Sequence, residues 1–76
     1  MITVKLFGLL RLESGIREKH LEAASVKEVL QQLEAAGISG KDLRGSVVFV
    51  NGEPANRRKK LTDGDLVVLM PPVAGG

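Results

Sequence analysis

The sequence predicts an α+β fold in which a β-sheet packs on one helix. Apolar and polar residues alternate over residues 2–7 with the spacing of a half-buried strand, and two further β-prone runs lie at residues 46–50 and 66–70. Residues 25–36 instead repeat apolar side chains with the period of a helix. A chain of 76 residues makes one domain at most. The helix can therefore bury its apolar side only against one face of the sheet.

The first half of the chain contains two predicted strands. Residues 2–7 form the first strand. Residues 16–23 form the second, and charges on both of its faces favour a position at a sheet edge. Gly8 and Gly15 interrupt the chain between the two strands.

The predicted helix, Ser25–Ala36, has signals at both ends. Ser25 is a favourable N-cap, and Glu28 three residues later completes a capping box. Gly37 suits the position just past the helix, where a left-handed backbone is common. The apolar stripe comprises Val26, Val29, Leu30, Leu33 and Ala36.

The second half of the chain alternates turns with strands. Residues 38–45 are predicted as a loop or short turn, and residues 46–50 as a strand. Asn51-Gly52 is a strong hairpin signal, and Pro54 limits the segment after it to an irregular or edge position. Asp63-Gly64 predicts another turn, which leads into a final buried strand over residues 66–70.

The composition excludes several kinds of chemistry. The chain has no cysteine, which excludes disulfides, thiolate nucleophiles and Cys-ligated metals, and its one histidine is His20. We therefore predict no metal site. The net charge of +2 is too small to indicate nucleic-acid binding by itself. The sequence shows no targeting signal and no apolar run of about 20 residues, so we expect a cytoplasmic protein without membrane attachment.

The last residues are the unusual part of the sequence. We predict a folded domain over residues 1–70 and an extended, flexible tail over residues 71–76, which ends in Gly75-Gly76. A Gly-Gly end can enter a narrow channel of another protein, although chain ends also fray without any function. A terminal carboxylate is a poor electrophile and must be activated before it reacts. The chain has no phosphate-binding loop, so we expect a partner to activate it.

Two further features suggest contacts with partners. If the helix covers the face of the first strand that carries Val4 and Leu6, Phe7 belongs to the other face. There it is either exposed as a docking residue or packed beneath a loop. Arg57–Lys60 is a run of four cations, and it is either a solvated loop or a contact for an acidic partner or nucleic acid. Because the chain has no tyrosine or tryptophan, single-stranded nucleic acid is disfavoured.

Three segments carry a resemblance to a known family. They are Leu6–Arg11 (LFGLLR), Leu61–Asp65 (LTDGD) and Pro71–Gly76 (PPVAGG). Together they resemble the ubiquitin-like sulfur carriers of the MoaD/ThiS family, and most closely the small subunit of molybdopterin synthase, MoaD. The Gly-Gly end is common to all sulfur carriers, whereas the Pro-Pro before it and the Phe-x-x-x-Arg pattern at the start are more particular to the MoaD branch. The resemblance spans essentially the whole chain and implies a β-grasp fold with a mixed sheet.

The resemblance also implies a mechanism. A MoeB-like adenylyltransferase, similar to ubiquitin-activating enzymes, would use ATP and Mg²⁺ to adenylate Gly76, and a cysteine desulfurase or rhodanese would supply sulfur for a thiocarboxylate. The tail would then enter the MoaE-like large subunit of molybdopterin synthase, within a heterotetramer, and donate sulfur to cyclic pyranopterin monophosphate. The chain itself would be neither an enzyme nor a binder of cofactors. The residues implied to contact partners are Gly75, Ala74, Val73, Pro72, Pro71, Met70, Phe7 and Arg11.

Three alternatives are compatible with the sequence. The carrier could serve thiamine, cysteine, tRNA-thiolation or tungsten-cofactor pathways instead. The activated Gly76 could be joined to a lysine of a target, which would make the chain a protein modifier. The domain could also be a binding module with an inert tail, whose basic residues 57–60 contact RNA.

Overall fold

The computed structural model describes residues 1–71 of the chain. Its strands are β1 (Ile2–Leu6), β2 (Glu18–Leu21), β3 (Val47–Val50), β4 (Glu53–Ala55) and β5 (Leu66–Met70). Its helices are α1 (Gly8–Ser14), α2 (Val26–Ala35) and α3 (Gly40–Gly45). Within this range no helix is long and apolar enough to cross a bilayer.

The strands form one mixed sheet. Their order is β2-β1-β5-β3-β4, in which β1 and β5 are parallel and the other neighbours are antiparallel. β2 is shorter than the predicted residues 16–23, but it lies at one edge of the sheet as its charges predict. β4, which contains Pro54, lies at the other edge. A mixed sheet of this order with a helix packed on one face is a β-grasp fold, so the predicted fold is confirmed.

The core lies between α2 and one face of the sheet. Alternation along each strand sends every second side chain to this face. The buried side chains of these elements are Ile2, Val4 and Leu6 of β1, Val67 and Leu69 of β5, Val48 and Val50 of β3, and Val26, Val29, Leu30 and Leu33 of α2. Ala36 was expected in the helical stripe but is exposed, because α2 ends at Ala35 and Ala36 is its C-cap.

Local signals at α2 and at the turn between β3 and β4 are confirmed. Ser25 Oγ accepts a hydrogen bond from the backbone N–H of Glu28 at 3.3 Å, which caps the start of α2. Gly37, just past the helix, has a φ of +105°. Asn51 and Gly52 have φ values of +51° and +86°. Positive φ at both central residues is what a two-residue hairpin turn of type I′ requires.

Two short helices differ from the sequence prediction. Residues 40–45, predicted as a loop or turn, form α3, whose Leu43 is buried in the core. Ser39 Oγ accepts the N–H of Asp42 at 3.4 Å and caps this helix. The sequence predicts no element at α1, which buries Leu10. Each short helix buries a single leucine, so neither produces the repeated apolar spacing from which a helix is predicted.

Candidate functional site

The predicted tail begins where the central strand of the sheet ends. β5 pairs with β1 on one side and β3 on the other, and its last residue is Met70. Because β1 runs parallel to β5, the C-terminal ends of the two strands lie side by side. The segment after β1 is therefore next to the tail root, which we define as Met70 and Pro71. The predicted site residues Pro72, Val73, Ala74, Gly75 and Gly76 lie outside the described residues.

Phe7 lies beside Met70 at the C-terminal ends of β1 and β5. Its backbone N–H donates to the carbonyl of Leu69 at 3.1 Å, which extends the parallel pairing one residue beyond β1. Its backbone is extended, with a φ of −127° and a ψ of 164°, so the alternation continues and Phe7 belongs to the face away from α2. Phe7 is 42% exposed and Met70 is 41% exposed. Of the two alternatives left open for Phe7, the structure shows the exposed one, and its role in partner binding stays a prediction.

An apolar surface covers this side of the sheet. Val47 of β3 pairs with Met70, and Phe49 of β3 pairs with Val68 of β5. Val47 is 41% exposed, while Phe49 and Val68 are half-buried. We define the outer-face patch as Phe7, Val47, Phe49, Val68 and Met70. A contiguous exposed apolar surface beside polar groups is typical of a protein–protein contact.

A basic cavity adjoins the outer-face patch. It has a volume of about 320 Å³, and two predicted site residues line it: Phe7, the N-cap of α1, and Arg11 of the same helix. Lys5 and Arg17 add two more cations to the lining, and Glu18 is its one acidic residue. Glu18 lies 4.0 Å from the Lys5 ammonium. Sequence reasoning missed Lys5 and Arg17, although strand alternation already places Lys5 on the face of Phe7.

Gly8 contacts the tail root directly. Its φ is +61°, a region that residues with a Cβ rarely adopt. A Cβ at this position would lie 2.6 Å from Cγ and 2.9 Å from Cδ of Pro71. The pyrrolidine ring therefore occupies the space that any other residue at position 8 would fill. Sequence reasoning included Gly8 in the LFGLLR segment but assigned it no role.

Comparison with protein families identifies the chain. The ThiS family matches residues 4–76, which is nearly the whole sequence. The chain belongs to the ThiS family. Members of this family are small ubiquitin-like sulfur carriers and are generally non-catalytic. A comparison with curated proteins gives no match.

Solved structures similar to this ThiS-family chain come from several systems. SAMP1 from Haloferax volcanii matches with a TM-score of 0.81 and 28% identity, over 99% of this chain and 98% of that chain. A chain from the complex of subunits 1 and 2 of molybdopterin-converting factor from Helicobacter pylori 26695 matches with a TM-score of 0.76 and 26% identity, over 99% and 97%. A chain of the BexX/CysO complex from Amycolatopsis orientalis matches with a TM-score of 0.76 and 28% identity, over 100% of both. These nearly equal similarities confirm the resemblance to MoaD/ThiS-like carriers, and the narrower assignment to MoaD stays a prediction.

The LTDGD segment of this ThiS-family chain has a structural role. Asp65 accepts the backbone N–H of Thr62 at 2.8 Å and the side-chain amide of Asn51 at 3.0 Å. These hydrogen bonds, the one from Thr62 foremost, hold the pKa of Asp65 below its usual range. The side-chain oxygen of Asn51 in turn accepts the N–H of Leu66 at 2.9 Å. The network ties the β3–β4 turn to the start of β5, at the end of that strand away from the tail root.

The basic run 57–60 supports the start of α2 through its backbone. The carbonyl of Lys59 accepts the N–H of Val26 at 3.0 Å, and the carbonyl of Arg57 accepts the N–H of Lys27 at 3.1 Å. Among the ion pairs within residues 1–71, none involves a side chain of this run. The run is therefore a charged loop with a fixed backbone, which agrees with the solvated-loop interpretation.

His20 and Glu18 of β2 are exposed, and their side chains are hydrogen-bonded to each other. His20 of β2 lies 3.0 Å from a carboxylate oxygen of Glu18 and 3.3 Å from the hydroxyl of Thr3. In the described part of the chain, no three His, Asp or Glu side chains converge as a metal site would need. Residues 1–71 thus present an exposed apolar surface with a basic margin beside the tail root.

Proposed function

We propose that this ThiS-family chain is the sulfur-carrying small subunit of molybdopterin synthase. The observation that carries the proposal is that Met70 belongs both to the tail root and to the outer-face patch. A partner that covers Phe7 and Met70 receives the tail at a fixed place on its own surface. The Pro-Pro at the start of the tail and the spacing of Phe7 and Arg11 support the molybdopterin branch within the family.

The reactive group in this proposal is the carboxylate of Gly76. A MoeB-like activating enzyme binds ATP and Mg²⁺ and transfers AMP to this carboxylate, with release of pyrophosphate. A persulfide supplied by a cysteine desulfurase or rhodanese attacks the acyl carbon and displaces AMP. Cleavage of the sulfur–sulfur bond by a second thiol then leaves a thiocarboxylate on Gly76. The chain needs no cofactor of its own, and the reaction takes place in the cytoplasm, where ATP and reduced sulfur donors are present.

The sulfur is then passed to a pterin. The tail enters a MoaE-like large subunit, where Gly75 allows passage through a narrow channel and catalytic residues of that subunit transfer sulfur to cyclic pyranopterin monophosphate. A dithiolene holds two sulfur atoms, so two carriers are used for each product. This stoichiometry suits a heterotetramer of two small and two large subunits. The complex of subunits 1 and 2 of molybdopterin-converting factor supports a partner of this kind.

Each predicted contact residue has a part in this scheme. Phe7 and Met70 bury apolar surface against the activating enzyme and later against the large subunit. Arg11, with Lys5 and Arg17 beside it, attracts acidic side chains at the margin of either partner. The residues nearest the domain, Pro71 and Pro72, restrict the start of the tail because proline fixes φ. Val73 and Ala74 then occupy the entrance of the partner's channel.

The mass of the intact chain tests the proposal. The chain is incubated with its activating enzyme, ATP, Mg²⁺ and a sulfur donor, and we expect the mass increase of one oxygen-for-sulfur exchange, located at Gly76. A chain that lacks Gly76 is the control and should show no increase. No increase in the full chain, with an activating enzyme that adenylates another carrier, would contradict the proposal.

A protein modifier is the second candidate function. It is favoured by the similarity to SAMP1, which is described as a small archaeal modifier protein. In that case activated Gly76 forms an amide bond with a lysine of a target. Covalent adducts on a denaturing gel that disappear when Gly76 is deleted would support the modifier. Sulfur transfer to the pterin without such adducts would support the carrier.

A further inference from the structure

Gly8 differs from the other glycines of the described chain. A Cβ at Gly15, Gly37, Gly45, Gly52 or Gly64 would meet nothing within 4 Å, and one at Gly40 would meet only the flexible side chain of Glu34. At Gly8 it would lie 2.6 and 2.9 Å from two atoms of the Pro71 ring. Ring atoms of proline cannot rotate away, so either Gly8 or Pro71 would have to move. The absence of a side chain at position 8 is therefore what lets Pro71 sit where it does.

The surroundings indicate which of the two residues would move. Phe7, immediately before Gly8, is hydrogen-bonded to the carbonyl of Leu69 at 3.1 Å. On its other side Gly8 begins α1, which is held by the buried Leu10. Pro71 instead follows the last residue of β5 and has no N–H with which to join the sheet. A side chain at position 8 would thus displace Pro71, at the point where the chain leaves the sheet.

We propose that Gly8 is a positioning residue for the tail: by seating Pro71 it fixes the direction in which the chain leaves β5. The proposal rests on the proposed function, in which Gly76 must reach a reactive centre while the outer-face patch is docked. A fully extended segment of five residues spans at most about 17 Å, so for such a tail a tilt of about 20° at Pro71 moves the end by up to about 6 Å. Misplacement of a reacting group by about 1 Å already costs on the order of a hundredfold in rate.

Gly8→Ala tests the proposal against a matched control. Gly15→Ala places the same methyl group at a similar φ, +74°, at the other end of α1 and against open space. Both variants carry the backbone strain of a left-handed alanine, and only Gly8→Ala meets Pro71. The assay measures kcat and KM for adenylation of the chain by the activating enzyme, at varied concentrations of the chain. We expect Gly8→Ala to lower kcat at least about tenfold with KM within about twofold of the wild type, because the patch still docks. Gly15→Ala should keep both constants within about twofold.

A double-mutant cycle with Pro71→Ala isolates the contact. This substitution removes the Cγ and Cδ atoms that a Cβ at position 8 would meet and keeps Cβ, which lies at an ordinary 3.9 Å. We expect Gly8→Ala to lower kcat about tenfold in the wild-type background. In the Pro71→Ala background, it should lower kcat by less than about twofold. Equal kcat in Gly8→Ala and Gly15→Ala, or an equal effect of Gly8→Ala in both backgrounds, would overturn the proposal.

Pro71→Ala alone keeps the proposal testable if Gly8→Ala does not fold. Without the ring nothing seats the tail against Gly8, so we expect kcat to fall about tenfold with KM unchanged, and a kcat equal to that of the wild type would overturn the proposal. Failure of the proposed function is distinguishable because it appears in the wild-type chain itself, which would then show either no adenylation at all or adenylation without sulfur transfer to the pterin. A structural readout is independent of activity. The nuclear Overhauser contact between Gly8 and the Pro71 ring should be present in the wild type and in Gly15→Ala, and its absence from the wild type would also overturn the proposal.

Discussion

Phe7→Ala tests whether the outer-face patch docks the partners. Phe7 is 42% exposed. A phenylalanine presents about 200 Å² of surface, so about 80 Å² of the side chain is free to be buried by a partner. At about 25 cal/mol per Å² this area corresponds to about 2 kcal/mol, or about a thirtyfold rise in Kd when the ring is removed. Isothermal titration calorimetry with the large subunit and, separately, with the activating enzyme measures the change.

Leu12→Ala is the matched control for this prediction. Leu12 is 76% exposed on α1 and lies outside the outer-face patch. Like Phe7→Ala, this substitution removes an exposed apolar side chain. We nevertheless expect Kd to stay within about twofold, because the partner does not cover Leu12. Equal weakening by Leu12→Ala and Phe7→Ala, or an unchanged Kd in Phe7→Ala, would refute docking through the patch.

Three further predictions concern the core, the acid range and the basic run. Leu33→Ala, at a side chain with 0% exposure, should lower the free energy of unfolding by about 2–5 kcal/mol in urea titrations, whereas Leu12→Ala should change it by less than about 0.5 kcal/mol. Because the pKa of Asp65 is lowered in the folded state, its ionised carboxylate stabilises the fold at pH values above the usual pKa range of aspartate. This stabilisation is lost as the pH falls through the folded-state pKa. Asp65→Asn should therefore destabilise the chain at neutral pH and flatten the acid limb of its thermal unfolding profile; an unchanged acid limb would contradict the role of the network. Replacing Arg57–Lys60 by glutamine should leave thiocarboxylate yield unchanged, and a steep loss of yield would assign the run to partner binding.

Local signals explain which parts of the fold could be predicted from the sequence. The hairpin turn could be predicted because Asn and Gly tolerate the positive φ that both of its central positions adopt. The helix α2 could be predicted because Ser25 marks its start and four buried side chains repeat along it. The alternation of β1 likewise predicts that Phe7 faces away from the core.

Contacts between distant residues account for what the sequence did not reveal. α1 and α3 are short, and their stability comes from burying Leu10 and Leu43 in a core formed by the rest of the chain. The contact between Gly8 and Pro71 joins the two ends of the described chain and depends on the parallel pairing of β1 with β5. No local pattern encodes such a contact. The meeting of Arg11 and Arg17 in one cavity depends instead on the antiparallel pairing of β1 with β2, which places Lys5 opposite Glu18.

The fate of the sulfur tests the central claim most directly. Thiocarboxylated chain is mixed with the large subunit and cyclic pyranopterin monophosphate, and the sulfur is followed by mass spectrometry in both the protein and the pterin. We expect the chain to return to its carboxylate form at Gly76 while the pterin gains two sulfur atoms for every two chains consumed. A chain that keeps its thiocarboxylate with this substrate, but loses it to a thiazole-forming enzyme of thiamine synthesis or to a lysine of another protein, would contradict the account.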